Sequence, residues 1–269
     1  MYKTFKPKSE FLKKYIQEFT FLDEKDIFPK KYYAFPHNIS AIVFIQNAKL
    51  NYNSNILEIS KTQTKETLVF SIGKYVEPLF VSYKHYVNEI AINFTPTGIN
   101  YFFDENFSDI AKFPIQGIRD SEITEFSKEL FNTSKEDRIE SLELFLLQRF
   151  REKNILLVEQ VVNIIECDKS LKFKNICKEL NVSERNVNRL FHKYIGCSPK
   201  NYKKITRFRG AIKDYNQNES NLTQICLEND YYDSPHFSRE FKKLTNKKPT
   251  DYFNQLTFIS KNKYPYVFK

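Results

Sequence analysis

The sequence predicts an α+β fold. A small N-terminal antiparallel β domain with following helices precedes a C-terminal all-α domain, in which a linker helix joins two helix-turn-helix units. Up to about residue 95, short runs of Val, Ile, Phe and Tyr alternate with segments that contain Pro, Asn or Gly, as in strands and turns. From Pro96 onward apolar residues recur at spacings of three and four, as in helices. A helix-turn-helix pattern then occurs twice in the last hundred residues.

Five segments of the first 95 residues have the composition of strands. Their aromatic and β-branched side chains favour the pleated, half-buried surface of a sheet. The predicted strands are Tyr15–Leu22, Ile39–Ile45, Thr67–Ile72, Leu79–Tyr83 and Glu89–Phe94. The turns between them contain Pro36, Asn47, Asn53, Gly73 and Pro78. Together these segments predict a small antiparallel sheet or barrel.

Three helices are predicted between the strands and the repeat. They are Glu122–Phe131, Glu136–Phe150 and Leu156–Glu166, and Ser134 with Asp137 resembles an N-cap signal for the second of them. The charged stretch 150–155 divides a domain of residues 1–150 from one of residues 155–256, with residues 257–269 as a tail. Because this stretch lacks Gly and Pro, we expect a nearly continuous helical connection.

The repeat consists of two copies about fifty residues apart. The first extends from Ile176 to Tyr202 and the second from Ile225 to Tyr252. The two isoleucines are 49 residues apart and the two tyrosines 50, so the second copy has a turn one residue longer. Two such copies place two similar helices on one rigid body, and duplex DNA offers matching major-groove positions about 34 Å apart. Sequence-specific DNA binding is therefore the leading hypothesis.

In the first copy a supporting helix, Phe173–Leu180, precedes a reading helix, Glu184–Tyr194. Asn181 suits the left-handed turn between them, and Ser183 suits the N-cap. The polar face of the reading helix carries Arg185, Asn188, Arg189 and His192. Arginine matches the paired acceptors of guanine, and asparagine matches the donor and acceptor of adenine.

The candidate base-reading residues of the first copy are therefore Arg185, Asn188 and Arg189. Ser183, Lys193 and Lys200 lie nearer the edges of this face and are candidates for phosphate contacts. The linker helix that follows has Ser198 as its cap and Pro199 at its first position.

The second copy has a supporting helix at Thr223–Asn229, with Asp230 at the turn. Asp233 or Ser234 caps its reading helix, and Pro235 lies in the first turn. Ser234, His236 and Arg239 face outward, and Lys242 and Lys243 follow as candidates for phosphate contacts.

The charge distribution agrees with a polyanionic partner for the C-terminal half. Residues 151–269 hold 23 Lys and Arg against 13 Asp and Glu, whereas residues 1–150 hold 19 against 20. The whole basic excess therefore lies in the half that contains the repeat, as expected for a nucleic-acid partner. A solvated basic face is the alternative explanation.

These motifs resemble AraC/XylS-family transcriptional regulators over residues 155–256. The likeness is carried by the string from Asp233 to Lys243, by Val182–Arg185 with Arg189–Phe191, by the Gly196-x-Ser198-Pro199 step and by Arg207-x-Arg209. It implies a seven-helix domain with two recognition helices in adjacent major grooves. It also gives base-reading positions to Arg185, Asn188 and Arg189, and to Ser234, Pro235, His236 and Arg239. Asp230 departs from the usual glycine, and Cys177 and Cys226 stand where alanine is usual.

The N-terminal half is similar, more faintly, to the sensor-like domain of such regulators. The resemblance implies a domain that binds an effector, dimerises, or both, and it identifies no effector-binding residue. Double-stranded promoter DNA is the implied partner. The resemblance leaves open three further partners: RNA polymerase, a small-molecule effector and a second copy of the chain.

Other classes of function find little support in the sequence. The cysteines form no C-x-x-C pair, as expected for core residues in a reducing cytoplasm. No leader or long apolar stretch predicts export or a membrane location. His37, His85 and Glu89 lack the spacing of a metal site, and no phosphate loop or catalytic motif occurs. We expect no enzyme activity, metal or cofactor. The alternative function is a small-molecule-binding or protein-interaction protein with only non-specific nucleic-acid affinity.

Overall fold

The computed structural model describes residues 3–25, 30–64, 66–103, 114–218, 221–259 and 264–268. It confirms the predicted α+β class: β-sheets occupy the N-terminal half, and helices follow them to residue 255. The strands in chain order are β1 (Lys3–Phe5), β2 (Ile16–Leu22), β3 (Lys31–Ala34), β4 (Ser40–Gln46), β5 (Ala48–Asn53), β6 (Ile56–Lys61), β7 (Thr67–Ile72), β8 (Leu79–Tyr83), β9 (Glu89–Phe94), β10 (Ile115–Gly117), β11 (Thr257–Ile259) and β12 (Tyr264–Phe268).

The strands form two six-stranded sheets. Sheet A has the order β1-β2-β9-β4-β7-β10 and is antiparallel throughout. Sheet B has the order β11-β12-β3-β8-β6-β5, and its β6–β8 pair is parallel. The antiparallel sheet of the sequence prediction is thus correct for sheet A, whereas sheet B contains one parallel pair. That pair was unforeseen because β5 and β6 were not predicted as strands.

Sheet A is buried on both faces, which explains why β4 is almost uninterruptedly apolar. Ile42 and Phe44 face a core shared with the helices that follow the sheets. Ala41, Val43 and Ile45 point the other way, into a core shared with sheet B. Because successive side chains of a strand alternate between its faces, a central layer between two others needs apolar residues at every position.

The helices are α1 (Ser121–Asn132), α2 (Arg138–Arg149), α3 (Leu156–Cys167), α4 (Phe173–Glu179), α5 (Glu184–Tyr194), α6 (Pro199–Asn218), α7 (Leu222–Glu228), α8 (Ser234–Thr245) and α9 (Pro249–Gln255). The helices α1 to α5 and α7, whose bounds were predicted, match those bounds to within about two residues at each end, the usual uncertainty of helix boundaries. The N-cap of α2 is Asp137 instead of Ser134, and its side chain makes no cap bond; its carboxylate instead accepts a hydrogen bond from the Ser134 hydroxyl at 2.6 Å.

The expected continuous helix between the two halves is wrong. Helix α2 ends at Arg149, and residues 150–155 are not helical before α3 begins. Aromatic packing explains the break: the Phe150 ring stacks on Tyr101 at 5.8 Å, and Ile155 is buried in the same core. The division into residues 1–150 and 155–256 stays a prediction, because side chains from both halves share the cores described below.

Residues 257–269, predicted as a tail, contain two strands in their described part. β11 pairs with β12, and β12 pairs antiparallel with β3 in the N-terminal half. The chain therefore returns from the last helix to the edge of sheet B.

Candidate nucleic-acid interface

Helix α6 connects the two helix-turn-helix units and contributes side chains to both of their cores. Tyr202, near its start, packs in the first core with Val187 and Phe191 of α5. Phe208 and Ile212, farther along, pack in the second core together with side chains of α7, α8 and α9. One helix of 20 residues thus carries both units.

The first unit has the predicted turn geometry. Asn181 has a φ of 51°, in the left-handed region that asparagine tolerates. Ser183 is the N-cap of α5, and its hydroxyl accepts a hydrogen bond from the Asn186 N–H at 3.2 Å. Val187 and Phe191 are fully buried, so the opposite face of α5 points to solvent.

The exposed face of α5 presents the predicted base-reading groups. Arg185 and Arg189 are exposed, and Asn188 is half-buried. The Asn188 amide donates to the Glu184 carbonyl oxygen at 2.8 Å, and an Arg189 Nη2 donates to Asn186 Oδ1 at 3.0 Å. Because positions 185, 188 and 189 are three and four residues apart, the three side chains lie on one face of the helix.

The second unit repeats this arrangement with different side chains. Asp230 takes the left-handed turn, with a φ of 56°. Asp233, one of the two predicted caps, is the N-cap of α8 and accepts from the His236 N–H at 2.6 Å. Ser234, Pro235 and Arg239 are exposed, and the Arg239 Nε donates to the Pro235 carbonyl oxygen at 3.3 Å.

His236 lies in a hydrogen-bonded network instead of facing freely outward. Its Nδ1 accepts from the Tyr232 N–H at 3.4 Å, and its Nε2 lies 3.5 Å from Glu240 Oε1. The other carboxylate oxygen of Glu240 accepts from Arg207 Nη2 at 2.7 Å. Arg207 and Glu240 are largely buried. The network therefore ties α8 to α6.

The predicted phosphate contacts lie at the ends of the reading helices. Lys200, Lys242 and Lys243 are exposed, as is Ser183. Lys193 is half-buried, with its ammonium 4.9 Å from the centroid of the Tyr194 ring.

Sequence reasoning missed a groove of the second unit that runs beside Arg239 and Lys242. Its other walls include Thr223, Lys248 and Thr250. Lys248 is the N-cap of α9 and immediately precedes Pro249, as Ser198 precedes Pro199 in the first unit. The repeat therefore contained a signal from which Lys248 could have been predicted as a residue of the interface: its position matches that of Ser198 in the first copy.

The N-terminal half contacts the domain at places away from the reading faces. Asn100 donates to the Tyr194 carbonyl oxygen at 2.9 Å, at the last residue of α5. Asn38 donates to Thr206 Oγ1 on α6 at 2.7 Å. Arg209, also on α6, donates to the carbonyl oxygens of Phe35 at 2.5 Å and Pro36 at 2.6 Å. The arginine that the sequence groups with the basic linker thus binds backbone of the N-terminal half.

Phe35 makes an apolar contact between the two halves. It is 1% exposed and belongs to the second core, where its ring lies 4.8 Å from that of Tyr252. Lys74 is buried beside the first unit and donates to the Asn38 carbonyl oxygen and to Ser40 Oγ. Burial lowers the pKa of Lys74 to about 7, against the opposing effects of Cys197 and Glu166.

A cavity of about 170 Å³ lies between the two sheets and reaches α6. Most of its lining is apolar, including Ala41, Leu57 and Ala91, and Arg209 forms part of its wall. Among its polar residues, Tyr83 donates to Glu89 Oε2 at 2.6 Å. The structure thus brings together a buried apolar space and the linker helix of the other half.

His37 lines the same cavity. Its Nδ1 accepts from the Ile39 N–H at 3.1 Å, and burial, with Arg209 and Lys74 nearby, places its pKa well below the usual value. His37 is therefore neutral at physiological pH. His85 follows β8 in the chain, and the described residues contain no group of three His, Cys, Asp or Glu suited to a metal ion. No helix among the described residues is long and apolar enough to cross a membrane.

Comparison with known proteins finds similarity over the repeat. Residues 176–255 match the family model "Helix-turn-helix domain". The chain is 26% identical over 98 residues to the XylDLEGF operon transcriptional activator 3 of Pseudomonas putida, a match that covers 35% of this chain and 30% of that protein. It is 25% identical over 99 residues to the HTH-type transcriptional regulator GbdR of Pseudomonas aeruginosa, of which it covers 26%. The chain thus spans less than a third of the length of these curated relatives.

A solved structure shares the fold over nearly the whole chain. ToxT from Vibrio cholerae superposes with a TM-score of 0.51 at 14% identity, covering 96% of this chain and 99% of that one. At this identity the likeness extends to the fold: β-sheets followed by helices that end in the tandem repeat.

Proposed function

We propose that this chain, whose C-terminal part is a helix-turn-helix domain of the AraC/XylS family, is a sequence-specific DNA-binding regulator of transcription. The observation that carries this proposal is the presence of two solvent-exposed reading faces on units that share the 20-residue helix α6. Tyr202 of α6 packs in the first core and Phe208 in the second, so the two reading helices belong to one body. Successive major-groove positions on one face of DNA are about 34 Å apart, and we propose that α5 and α8 enter two of them.

In this mode α5 makes most of the base contacts. Arg185 and Arg189 suit guanine, and Asn188 suits adenine once its amide leaves the Glu184 carbonyl. In the second unit Arg239 and Ser234 donate to base edges, and Pro235 offers an apolar contact to a thymine methyl. We assign His236 a bracing role in α8, because both of its ring nitrogens have partners within the protein.

Phosphate contacts position the two helices. The candidates are Ser183, Lys193 and Lys200 around α5, and Lys242 and Lys243 at the end of α8. Lys248 joins them because it lines the same groove as Arg239 and Lys242. Such contacts carry no sequence information but make the affinity strongly dependent on salt.

The direct test is selection of duplexes from a random library by the full chain. Affinities for a selected duplex and for its scrambled version are then compared at one salt concentration. We expect a difference of about a thousandfold or more, the lower end of the range for specific DNA-binding proteins. Equal affinities would reject the proposal and favour the alternative, a small-molecule-binding or protein-interaction protein with only non-specific affinity for nucleic acid.

We further propose that the cavity between the sheets binds a small, largely apolar effector. The supporting observation is its mostly apolar lining around a volume of about 170 Å³. An apolar cavity of about 150 Å³ can hold benzene. Because Arg209 of α6 lines the cavity and binds the backbone at Phe35 and Pro36, an occupant would touch the helix that carries both reading units.

Calorimetric titration with benzene and phenol, with glycerol as a polar comparison, tests the effector site. We expect binding of the aromatic probes and its loss in Ala91→Leu, which fills the cavity. Ala48→Leu is the matched control, since Ala48 lies in the same core and is absent from the cavity lining. Equal binding by both variants would contradict the assignment.

The remaining partners stay predictions of the family resemblance. RNA polymerase is the expected target of a regulator that activates transcription, and a second copy of the chain is expected if the N-terminal half dimerises. A cytoplasmic location and the absence of enzyme activity likewise follow from the proposed role.

A further inference from the structure

The two helix-turn-helix units are joined by more than the linker helix. Asn229, which follows α7, is completely buried, and its amide connects three elements. Lys169 Nζ, in the loop after α3 of the first unit, donates to Asn229 Oδ1 at 2.9 Å. Asn229 Nδ2 donates to Asp214 Oδ2 on α6 at 2.6 Å and to the Ile225 carbonyl oxygen at 3.1 Å. Both ends of one buried amide are therefore satisfied by charged groups of other elements.

The connection crosses α6 at Gly210. A Cβ at this position would lie 2.0 Å from Asn229 Oδ1 and 2.5 Å from Lys169 Nζ. Glycine is unfavourable in a helix interior relative to alanine. The close approach of the amide and the ammonium explains why a glycine occurs in the middle of this helix.

The loop that presents Lys169 is itself fixed. Asp168 Oδ1 accepts from the Ser170 N–H at 2.7 Å, from the Ser170 hydroxyl at 2.6 Å and from the Leu171 N–H at 3.2 Å. The Leu171 carbonyl oxygen accepts from Lys203 Nζ of α6 at 2.6 Å. Hydrogen bonds to Asp168 and from Lys203 therefore fix the loop from which Lys169 contacts the second unit.

A single helix does not fix the relative orientation of the two units that it connects, because long helices bend. A bond between the bodies away from the helix axis restrains both bending and rotation. The contact between Lys169 and Asn229 is of this kind, since it joins the first unit directly to the second while Asp214 anchors it to α6.

We propose that Lys169, Asn229 and Asp214 form a strut that fixes the relative orientation of the two reading helices and so sets the half-site spacing that the chain accepts. This inference rests on the proposed DNA-binding function. The three residues are positioning residues, because they act on the reading helices through the frame of the domain. The strut makes the two units bind DNA as one body.

The experiment measures spacing preference. Duplexes selected by the full chain are altered by inserting or deleting one base pair between the two half-sites, which displaces the second half-site by about 3.4 Å and about 34°. The preference is the ratio of affinities for the original and altered spacings. It is measured for the wild-type chain, Lys169→Met and Asn229→Val, together with the affinity for a duplex that holds the first half-site alone.

We expect both variants to reduce the spacing preference by about fivefold or more, a typical effect of losing one such coupling. Affinity for the single half-site stays within about twofold, because the reading faces are untouched. Lys169→Arg, which keeps a cationic donor, retains the preference. Lys213→Met is the charge-matched control, since Lys213 is exposed on α6, and it too retains the preference.

An unchanged preference in variants that keep the wild-type circular dichroism would overturn the inference. Lys169→Met leaves Asn229 paired with Asp214, so it decides the question even where Asn229→Val fails to fold. Failure of the proposed function has a different signature: the wild-type chain itself would select no sequence and show no spacing preference.

Discussion

The two helix-turn-helix units share one design and differ in how they are held. In the first, the reading helix follows an asparagine in the left-handed turn, and the side chains of Asn188 and Arg189 bond within the helix. In the second, an aspartate occupies that turn, and His236, Glu240 and Arg207 connect the reading helix to α6. The first unit thus devotes its reading face to potential base contacts, whereas the second uses part of it for support.

The N-terminal half also treats the two units differently. It reaches the first through polar contacts, such as Asn100 with the Tyr194 carbonyl and the Tyr101 hydroxyl with Glu159 at 2.7 Å, and through the half-buried Tyr194 side chain, which packs on the N-terminal core. It reaches the second by inserting the Phe35 ring into the hydrophobic core. Because a fully buried ring of the N-terminal half lies within the second core, we expect the second unit to depend more strongly on distant parts of the chain for stability. The first unit is the better candidate for base readout.

The largest effect is expected from Phe35→Ala. Removing a fully buried phenyl ring leaves a cavity and costs about 3–5 kcal/mol of unfolding free energy. If the comparison is right, hydrogen exchange accelerates mainly in α8 and α9. Urea unfolding measures the free energy, and Phe5→Ala, at a position 38% exposed, is the control. Uniform acceleration across both units would contradict the special dependence of the second one.

A smaller loss is expected from Glu240→Leu, about 3 kcal/mol, because it leaves the largely buried Arg207 charge without its carboxylate. The double variant with Arg207→Met should recover much of the stability, since neither partner then remains charged and buried. The double-mutant cycle is measured by urea unfolding. Additive losses in the cycle would show that the ion pair does not couple α8 to α6.

Base readout should distinguish the two reading helices. Arg185→Ala is expected to weaken binding to a selected duplex by about 1–3 kcal/mol and to relax preference at one base pair. Arg239→Ala should cost about 1 kcal/mol or less, because part of the second reading helix, at His236 and Glu240, is used to support it against α6. Fluorescence anisotropy measures both, with exposed Lys178→Ala as control. A larger loss for Arg239→Ala would reverse the assignment of the leading reading helix.

The smallest effect concerns the turns. Asp230→Gly should stabilise the second unit by about 0.5–1 kcal/mol, because a left-handed φ is more favourable for glycine than for aspartate. Asn181→Gly should change stability less, since asparagine tolerates this conformation better. Thermal unfolding compares the stabilities of the two variants. Equal increases in stability would contradict the expected difference between the two turns.

The sequence was sufficient for elements whose pattern is local. Thr67–Ile72, Leu79–Tyr83 and Glu89–Phe94 are strands with the predicted bounds, because aromatic and β-branched residues dominate them. The hairpin of β5 and β6 was not predicted, because its asparagines are typical of a loop. Ser54 and Asn55 in fact both have positive φ, as a two-residue hairpin turn requires.

Contacts between residues that are distant in the chain could not be predicted from the sequence. The patterns predicted the caps and faces of α5 and α8, because helix geometry fixes which positions share a face. Nothing local indicates that Phe35 enters the core of the second unit, or that Lys169 bonds Asn229 sixty residues later. Likewise, the outward position predicted for His236 was a statement about its helix, whereas its partners Glu240 and Arg207 are brought together by the packing of α6 on α8.

The central claim is that α5 and α8 contact one face of one duplex together. Hydroxyl-radical footprinting of the full chain on a selected duplex tests it most directly. We predict two protected patches on the same face, about 10 base pairs apart between their centres. A single patch, or two patches on opposite faces of the duplex, would contradict it.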